Sequence, residues 1–386
     1  MPEATAPEPK TTQSILHDVM TLSYLDEFRR SGHVRALMEA LAEGAAALSR
    51  QVRIMEVCGT HTMAISRHGI RQALPANLRL ISGPGCPVCV TANHDIDTFI
   101  EIALKPGVIA ATFGDMLRVP GTRIGLAQAR SLGGKVAVVY STLDALEIAR
   151  GNPDSTVVFF GIGFETTAPT VAAAIDQARS EGLDNFMVLA AHKTVPPALS
   201  ALCSTPGLAV DAFLCPGHVT AIIGPDAYRT VADDFGIPCV VGGFEPADIL
   251  QALIMLGRQL ADGEAAVELQ YTRGVRSGGN PAAVAMIEKV FQPSDADWRG
   301  LGAIPGSGLA IREEYAAHDA ARRFKVDAGY SREPKDCQCG AILTGLKTPA
   351  ECGLFGKACT PDHPIGPCMV SSEGTCAAYF LYEGAD

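Results

Sequence analysis

No apolar run in this sequence approaches the roughly 20 residues that cross a bilayer as a helix, which excludes a helical membrane span. Lys and Arg never gather into a basic run, and with a formal net charge of -11 this argues against a nucleic-acid backbone or an anionic membrane as partner. The opening MPEATAPEPK has neither the basic start nor the apolar stretch of a signal peptide, so the expected location is the cytoplasm. Thiols stay reduced there, and static disulfides become the weaker expectation for the 12 cysteines. Two nucleotide signatures are also missing, the third glycine of a dinucleotide fingerprint and the Gly-Lys-Ser/Thr of a P-loop.

Apolar residues are plentiful, 47% of 386, which is material for two or three domains. Residues 1–11, acidic and proline-rich, read as a disordered tail, and Ser14 to Arg50 alternates apolar and polar residues at helical spacing. From Val52 a different pattern starts: short β-branched runs, each closed by a Gly, Cys or Pro turn and followed by an amphipathic helix. The runs begin at Val52, Leu78, Val108, Lys135, Thr156, Phe186, Asp211 and Ile237. Apolar strands between helices predict parallel sheets covered on both faces. Eight units in about 200 residues lie at the lower edge for a closed barrel, and two open, Rossmann-like doubly wound sheets of four strands fit better. The expected division is an α/β domain over 12–150, a second over 151–330 and a small cysteine-rich domain over 331–386. Gly163-Phe164-Glu165 and Gly243-Phe244-Glu245 form a weak internal echo, each after a strand and before a helix.

Ligands gather at the carboxyl ends of parallel strands, and the unusual residues are expected there. Cys58-Gly59-Thr60-His61-Thr62 follows the first strand, Gly83-Pro84-Gly85-Cys86-Pro87-Val88-Cys89 the second, and Gly114-Asp115 the third. Gly161-Ile162-Gly163-Phe164-Glu165-Thr166-Thr167 follows the fifth, Ala191-His192-Lys193-Thr194 the sixth, and Cys215-Pro216-Gly217-His218 the seventh.

Cys86 and Cys89 form a C-x-x-C at a strand-to-helix turn. The helix amino end favours a thiolate on the first, and the spacing lets the second attack a mixed disulfide. The alternatives are a structural zinc knuckle, which needs two more ligands, or a pair of inert buried thiols. Cys58 and His61 make half a metal site, with the other ligands to come from elsewhere; the competing reading is an ordinary core Cys and His. The Gly161 to Thr167 loop suggests an anion-binding turn or a partner contact. Asp115 and His218 suit acid-base or hydrogen-bonding roles and equally turn or cap roles. Cys203 and Cys239 read as core residues, and Cys215 stays open.

Cys337, Cys339, Cys352, Cys359, Cys368 and Cys376 crowd the last fifty residues, a stretch with few regular apolar repeats. Its order must come from cross-links or a metal, and a reducing compartment favours the metal. Zinc sites usually show C-x-x-C knuckles, absent from this stretch. Iron–sulfur clusters accept scattered thiolates, so four ligands and a spare pair is a natural division of six, although spacing does not say which four.

The motifs Cys-Gly-Thr-His-Thr from Cys58, Gly-Pro-Gly-Cys-Pro-Val-Cys from Gly83, Gly-Phe-Glu-Thr-Thr-Ala-Pro from Gly163 and Gly-Pro-Cys-Met-Val-Ser-Ser-Glu-Gly-Thr-Cys from Gly366 together resemble the hydrogenase maturation factor HypD family. The resemblance covers nearly the whole chain after about Thr11 and implies two Rossmann-like α/β domains with a third that holds a 4Fe–4S cluster. It further implies a scaffold for the Fe(CN)2CO unit of NiFe-hydrogenase, in complex with a HypC-type chaperone and in contact with a HypE-type cyanide donor. Carried over by motif, Cys58 holds the cargo iron with the chaperone's amino-terminal cysteine, and His61 lies beside it. Cys86 and Cys89 are the redox pair, and Asp115, His218 and Glu373 match further functional positions. The six carboxyl-terminal cysteines supply four cluster ligands and a second dithiol; the resemblance does not fix which four, and Cys352 and Cys359 rank first because they stand apart from neighbouring thiols in the sequence. The rival readings are a ferredoxin-linked thiol-disulfide oxidoreductase without iron cargo and a zinc-bearing docking platform.

Overall fold

The computed structural model describes residues 31–384 except 206, 208, 209, 327 and 330. The expected tail at 1–11, and the part of the expected Ser14–Arg50 helix before residue 31, lie outside the described residues. Within them the first element is a helix, Ser31–Ala46. Among the described residues no helix is long and apolar enough to cross a membrane.

All eight expected runs are strands: β1 Val52–Glu56, β2 Leu78–Ser82, β3 Val108–Thr112, β4 Lys135–Val138, β5 Thr156–Gly161, β6 Phe186–Ala190, β7 Ala212–Pro216 and β8 Cys239–Gly242. A short ninth, β9 Val267–Leu269, was not expected. They form two wholly parallel sheets, the first in the order β2-β1-β7-β8-β9 and the second in the order β4-β3-β5-β6. Interior strands β3, β7 and β8 are buried at every position, whereas the edge strand β4 is exposed or half-buried along its length. Helices cover both faces of the interior strands, which is why those read as unbroken apolar runs.

The expected split at residue 150 does not describe these sheets. β1 and β2 pair with β7, β8 and β9, so the first sheet draws on both flanks of the chain and the second is inserted between β2 and β7. A strand buried on both faces has no polar alternation to mark its neighbour, so the pairing is not written in the runs themselves. Each sheet is doubly wound, reversing direction between β1 and β7 in the first and between β3 and β5 in the second.

Alternate residues of each strand enter different cores. Ile54, Leu80, Leu214 and Val240 pack outward with Leu41 and Leu253, and Val157, Phe159 and Val188 pack outward with Val171 and Ile175. The inward residues, Met55, Val57, Phe213 and Val241 of one sheet and Val158, Phe160 and Leu189 of the other, share a single core. Cys86, Cys89, Cys339 and Cys368 belong to it. An antiparallel hairpin, β10 Phe291–Trp298 and β11 Gly302–Ile311, lies beyond the second sheet. Pro293, Asp295, Pro305 and Gly306 mask it in the sequence as loop.

The cysteine-rich segment is made of turns and short helices, Cys339–Leu343 and Thr375–Tyr382 among them. A buried ion network fixes it to the first sheet. Arg71 donates to Glu56 at 2.9 Å and to Glu383 at 3.2 Å, and its guanidinium lies 5.0 Å from the Tyr379 ring centre. Removing one partner of such a network leaves an uncompensated buried charge.

Candidate metal and thiol centre

β1 ends at Glu56, and the chain turns at Cys58 into the helix Gly59–Arg67, with Cys58 as its N-cap. Because the first sheet reverses between β1 and β7, this turn and the one at Gly217-His218 flank one crevice. Two glycines set how closely the neighbours approach. A side-chain carbon at Gly85 would lie 2.3 Å from the Cys58 nitrogen, and one at Gly59 would lie 2.7 Å from Cβ of Glu373. The Gly59 N–H donates to the Gly85 carbonyl at 2.9 Å, tying the Cys58 turn to the Cys86 turn. What results is a groove of about 440 Å³ whose lining includes Cys58, Thr60, Pro87, Phe164, His218 and Glu373.

Burial pushes the Cys58 thiol up to about 11; the backbone N–H of His61 opposes that rise and the Glu373 carboxylate adds to it. Cys58 is therefore protonated at neutral pH, and a metal that binds it displaces the proton. Thr60 Oγ1 donates to Glu373 Oε1 at 2.6 Å and holds the carboxylate at the groove wall.

His61 lies behind this wall and does not line the groove. Its ring is fully buried, donates Nε2–H to the Gly243 carbonyl at 2.9 Å and leaves Nδ1 without a partner. Burial lowers its pKa to about 4, so the ring is neutral at pH 7. Phe244 stands between two imidazoles, its centroid 4.7 Å from that of His61 and 4.0 Å from that of His218. His218 keeps an exposed edge in the groove; burial lowers its pKa and the Glu373 charge opposes that. Phe244 was missed as a site residue. Its signal was the echo, since Gly243-Phe244-Glu245 follows β8 and opens the helix Pro246–Asp262 as Gly163-Phe164-Glu165 follows β5 ahead of the helix Ala168–Glu181.

Asp115 is not brought to Cys58. It follows β3, sits 4.0 Å from Arg118 and lines a second crevice of about 310 Å³ with Tyr140, Gly163 and Thr167. Pro87 lines both crevices, which makes Asp115 a neighbour of the Cys86 turn. Glu165 and His192 point inward. Glu165 Oε1 accepts from the Val195 N–H at 2.9 Å, Oε2 has no partner, and burial raises the carboxyl to about 7. Both His192 ring nitrogens lack partners, and burial lowers that ring to about 3.

Cys86 caps the one-turn helix Pro87–Val90, its Sγ accepting the Cys89 N–H at 3.4 Å. The hydrogen bond expected at a helix amino end is present, but the expected accessible rim position is not. Both thiols are buried, and burial pushes Cys89 well above its usual range. The pair faces the shared core because Gly85 seats its loop against the Cys58 backbone.

Beyond Cys89 the thiols continue. Cys89 Sγ lies 4.0 Å from the carbonyl of Pro367, the residue before Cys368, and the Cys339 and Cys368 sulfurs are 2.7 Å apart. All six carboxyl-terminal cysteines, Cys352 and Cys359 included, line one small cavity otherwise walled by Ile342, Leu354, Phe355, Gly366 and Met369. This donor set suits an iron–sulfur cluster. The wall is apolar, the Ile365 N–H donates to Cys359 Sγ at 3.3 Å, and a side-chain carbon at Gly366 would lie 2.7 Å from Cys337 Sγ. Among the described residues no three His, Cys, Asp or Glu side chains converge on a point that would hold one ion. Cys215 and Cys239 are buried strand residues of the shared core, and Cys203 is half-buried against it.

Comparison with known proteins agrees with the motifs. Residues 32–383 match the family model HypD, described as the hydrogenase formation hypA family. The chain is 50% identical over 368 residues to the hydrogenase maturation factor HypD of Azotobacter vinelandii, covering 94% of this chain and 97% of the relative. It is 47% identical over 373 residues to that of Rhodobacter capsulatus, covering 94% and 99%, and 46% identical over 366 residues to that of Escherichia coli strain K12, covering 94% and 98%. With a family match and relatives that both span nearly its whole length, the chain belongs to the HypD family of hydrogenase maturation factors.

Proposed function

We propose that this protein is a cytoplasmic scaffold on which an iron ion receives cyanide and carbonyl ligands for a NiFe-hydrogenase. Cys58 is its thiolate on the cargo iron, and a HypC-type chaperone supplies a second from its amino-terminal cysteine, across the groove. A HypE-type protein brings the cyanide as a thiocyanate. The observation that carries this reading is a line of thiol-bearing segments in contact from the open groove to the apolar cavity. Gly85 seats the Cys86 turn against the Cys58 backbone, Cys89 Sγ lies 4.0 Å from the Pro367 carbonyl beside Cys368, and Cys368 Sγ lies 2.7 Å from Cys339 Sγ.

Both ends of that line have work in this chemistry. Splitting a thiocyanate, R–S–CN, into a thiolate and cyanide takes two electrons. Cys86 and Cys89 release two electrons and two protons as their sulfurs join, and exchange with Cys339 and Cys368 returns them. Setting that second pair aside leaves Cys337, Cys352, Cys359 and Cys376 to hold a 4Fe–4S cluster. Bound there, the cluster would supply electrons singly from an external donor. At the groove, Glu373 is held by Thr60 to take the proton that iron displaces from Cys58, and His218 relays it outward from its exposed edge. His61 stays neutral behind Phe244 and orients that wall. Asp115 acts at the second crevice, on the far side of Pro87.

A thiol-disulfide oxidoreductase without cargo would use the same line and have no need of Cys58. The two readings separate in the infrared spectrum of the complex with the HypC-type chaperone, purified anaerobically. Bands of iron-bound CN and CO are expected, and Cys58→Ala should abolish them. A Cys58→Ala complex that keeps the bands, or a wild-type complex that never shows them while reducing protein disulfides, would favour the oxidoreductase.

A further inference from the structure

The β10–β11 hairpin has no part in the function so far, yet its turn touches both segments that carry the thiol pairs. On one side Trp298 bridges to Thr91, and the Arg299 N–H donates to the Val90 carbonyl at 2.9 Å. The Arg299 side chain, buried, extends that contact: Nε donates to the Thr91 carbonyl at 3.1 Å and a terminal nitrogen donates to Asn93 Oδ1. Val90 and Thr91 directly follow Cys89. On the other side Gly300, at φ +79°, lies against Gly340, where a side-chain carbon at position 300 would be 2.4 Å from the Gly340 Cα. Gly340 directly follows Cys339. The remaining terminal nitrogen of Arg299 donates to Glu333, on the segment that leads into Cys337.

Stability alone does not call for this construction. Desolvating a guanidinium costs energy that a well-packed apolar side chain would not. What its planar fork supplies is fixed geometry between several acceptors at once.

We propose that the Trp298–Gly302 turn is a positioning clamp that holds the Cys86/Cys89 and Cys339/Cys368 segments in register for thiol–disulfide exchange, with Arg299 and Gly300 as its two contacts. This rests on the relay in the proposed function. In that relay the Cys368 thiolate attacks Cys89 of a Cys86–Cys89 disulfide. The Cys86–Cys89 bond breaks, and Cys86 leaves as a thiolate and takes up a proton. Cys339 then attacks Cys368 of the mixed disulfide, and Cys89 leaves and is protonated in turn. Two electrons have passed to the first pair, and the second is left as a Cys339–Cys368 disulfide. Both attacks need the three sulfurs in line, and a misplacement of about 1 Å can cost on the order of a hundredfold in rate.

The test uses the full chain, purified anaerobically with its cluster and given one equivalent of an oxidised small-molecule dithiol. Acid quenching at intervals, differential alkylation and peptide mass spectrometry read which pair carries the disulfide. The wild type should redistribute it between the pairs. Gly300→Ala and Arg299→Lys should do so at least tenfold more slowly, with the final distribution and the cluster absorbance unchanged. Arg299→Lys keeps the charge and loses the fork, so it separates geometry from electrostatics and carries the test if Gly300→Ala does not fold. Redistribution in Arg299→Lys at the wild-type rate would overturn the clamp and leave the relay standing. A wild-type chain in which the disulfide never moves would overturn the relay, and the clamp with it.

Discussion

Cys58 is the only cysteine among the lining residues of an open groove of about 440 Å³, whereas six thiols share one small apolar cavity at the carboxyl-terminal end. The same donor atom is thus set in opposite ways. A metal in the groove would find one thiolate, a neighbouring carboxylate and open space, so its coordination would be completed and undone from outside. A metal group in the cavity would find its ligands supplied and its surroundings apolar. The first arrangement suits cargo and the second suits a resident cofactor, and the buried pairs Cys86/Cys89 and Cys339/Cys368 lie between them in the shared core.

The largest expected effect is on the cavity. Replacing Cys352 or Cys359 by Ala should remove the brown absorbance and about four iron and four sulfide per chain. The double variant Cys339→Ser/Cys368→Ser should keep them. Colour and sulfide retained in both alanine variants would show that the cavity is divided differently.

Next comes the link between the regions. Cys86→Ser, Cys89→Ser and the double variant should each lower cyanide loading on iron by a similar factor, on the order of a hundredfold, since half a dithiol cannot deliver two electrons. Additive losses would mean that the two sulfurs act separately. Gly85→Ala places a carbon against the Cys58 backbone and should cost about 3 kcal/mol in unfolding free energy. Cargo should be lost with the groove and cluster colour kept. A variant as stable as the wild type would show that the close approach of the two turns is not needed.

The smallest effect lies under the groove. The Glu165 carboxyl is raised to about 7 in the fold from an ordinary value of 4.5, so its contribution is complete below pH 4.5 and is lost as pH rises through 7. Glu165→Gln has no such loss. Between pH 5 and pH 8 the variant should gain about 2 kcal/mol on the wild type in urea unfolding. His61 and His192 titrate in the opposite sense, losing stability as pH falls from 6.5 toward 4 and 3, but they are common to both proteins and cancel. Parallel pH profiles would mean that Glu165 is hydrated in solution.

Much of this layout can be read in the sequence, and the unread parts share physical causes. The interior strands are legible as apolar runs because side chains buried on both faces leave a continuous signature. Their pairing is illegible for the same reason, and β1 and β2 join β7 across an inserted sheet that nothing in their residues announces. The turns at Cys58, Gly85 and His218 meet in one groove because strand ends of a parallel sheet must, so those residues are legible from topology alone. Asp115 obeys the same rule for the other sheet, which places it at a different crevice. Phe244, Arg71 and Arg299 are ordinary residue types whose roles come only from long-range contacts. The β10–β11 hairpin hides behind prolines and glycines that suit its bulge and turn and read as loop.

The central claim is that groove and cavity hold iron independently. Mössbauer spectroscopy of the iron-57-labelled complex with the HypC-type chaperone separates low-spin cargo iron from cluster iron in one sample. Cys58→Ala should lose the low-spin component and keep the cluster component at wild-type intensity, and Cys352→Ala should lose the cluster component. A Cys58→Ala complex that loses cluster iron, or that keeps the low-spin iron, would contradict the account.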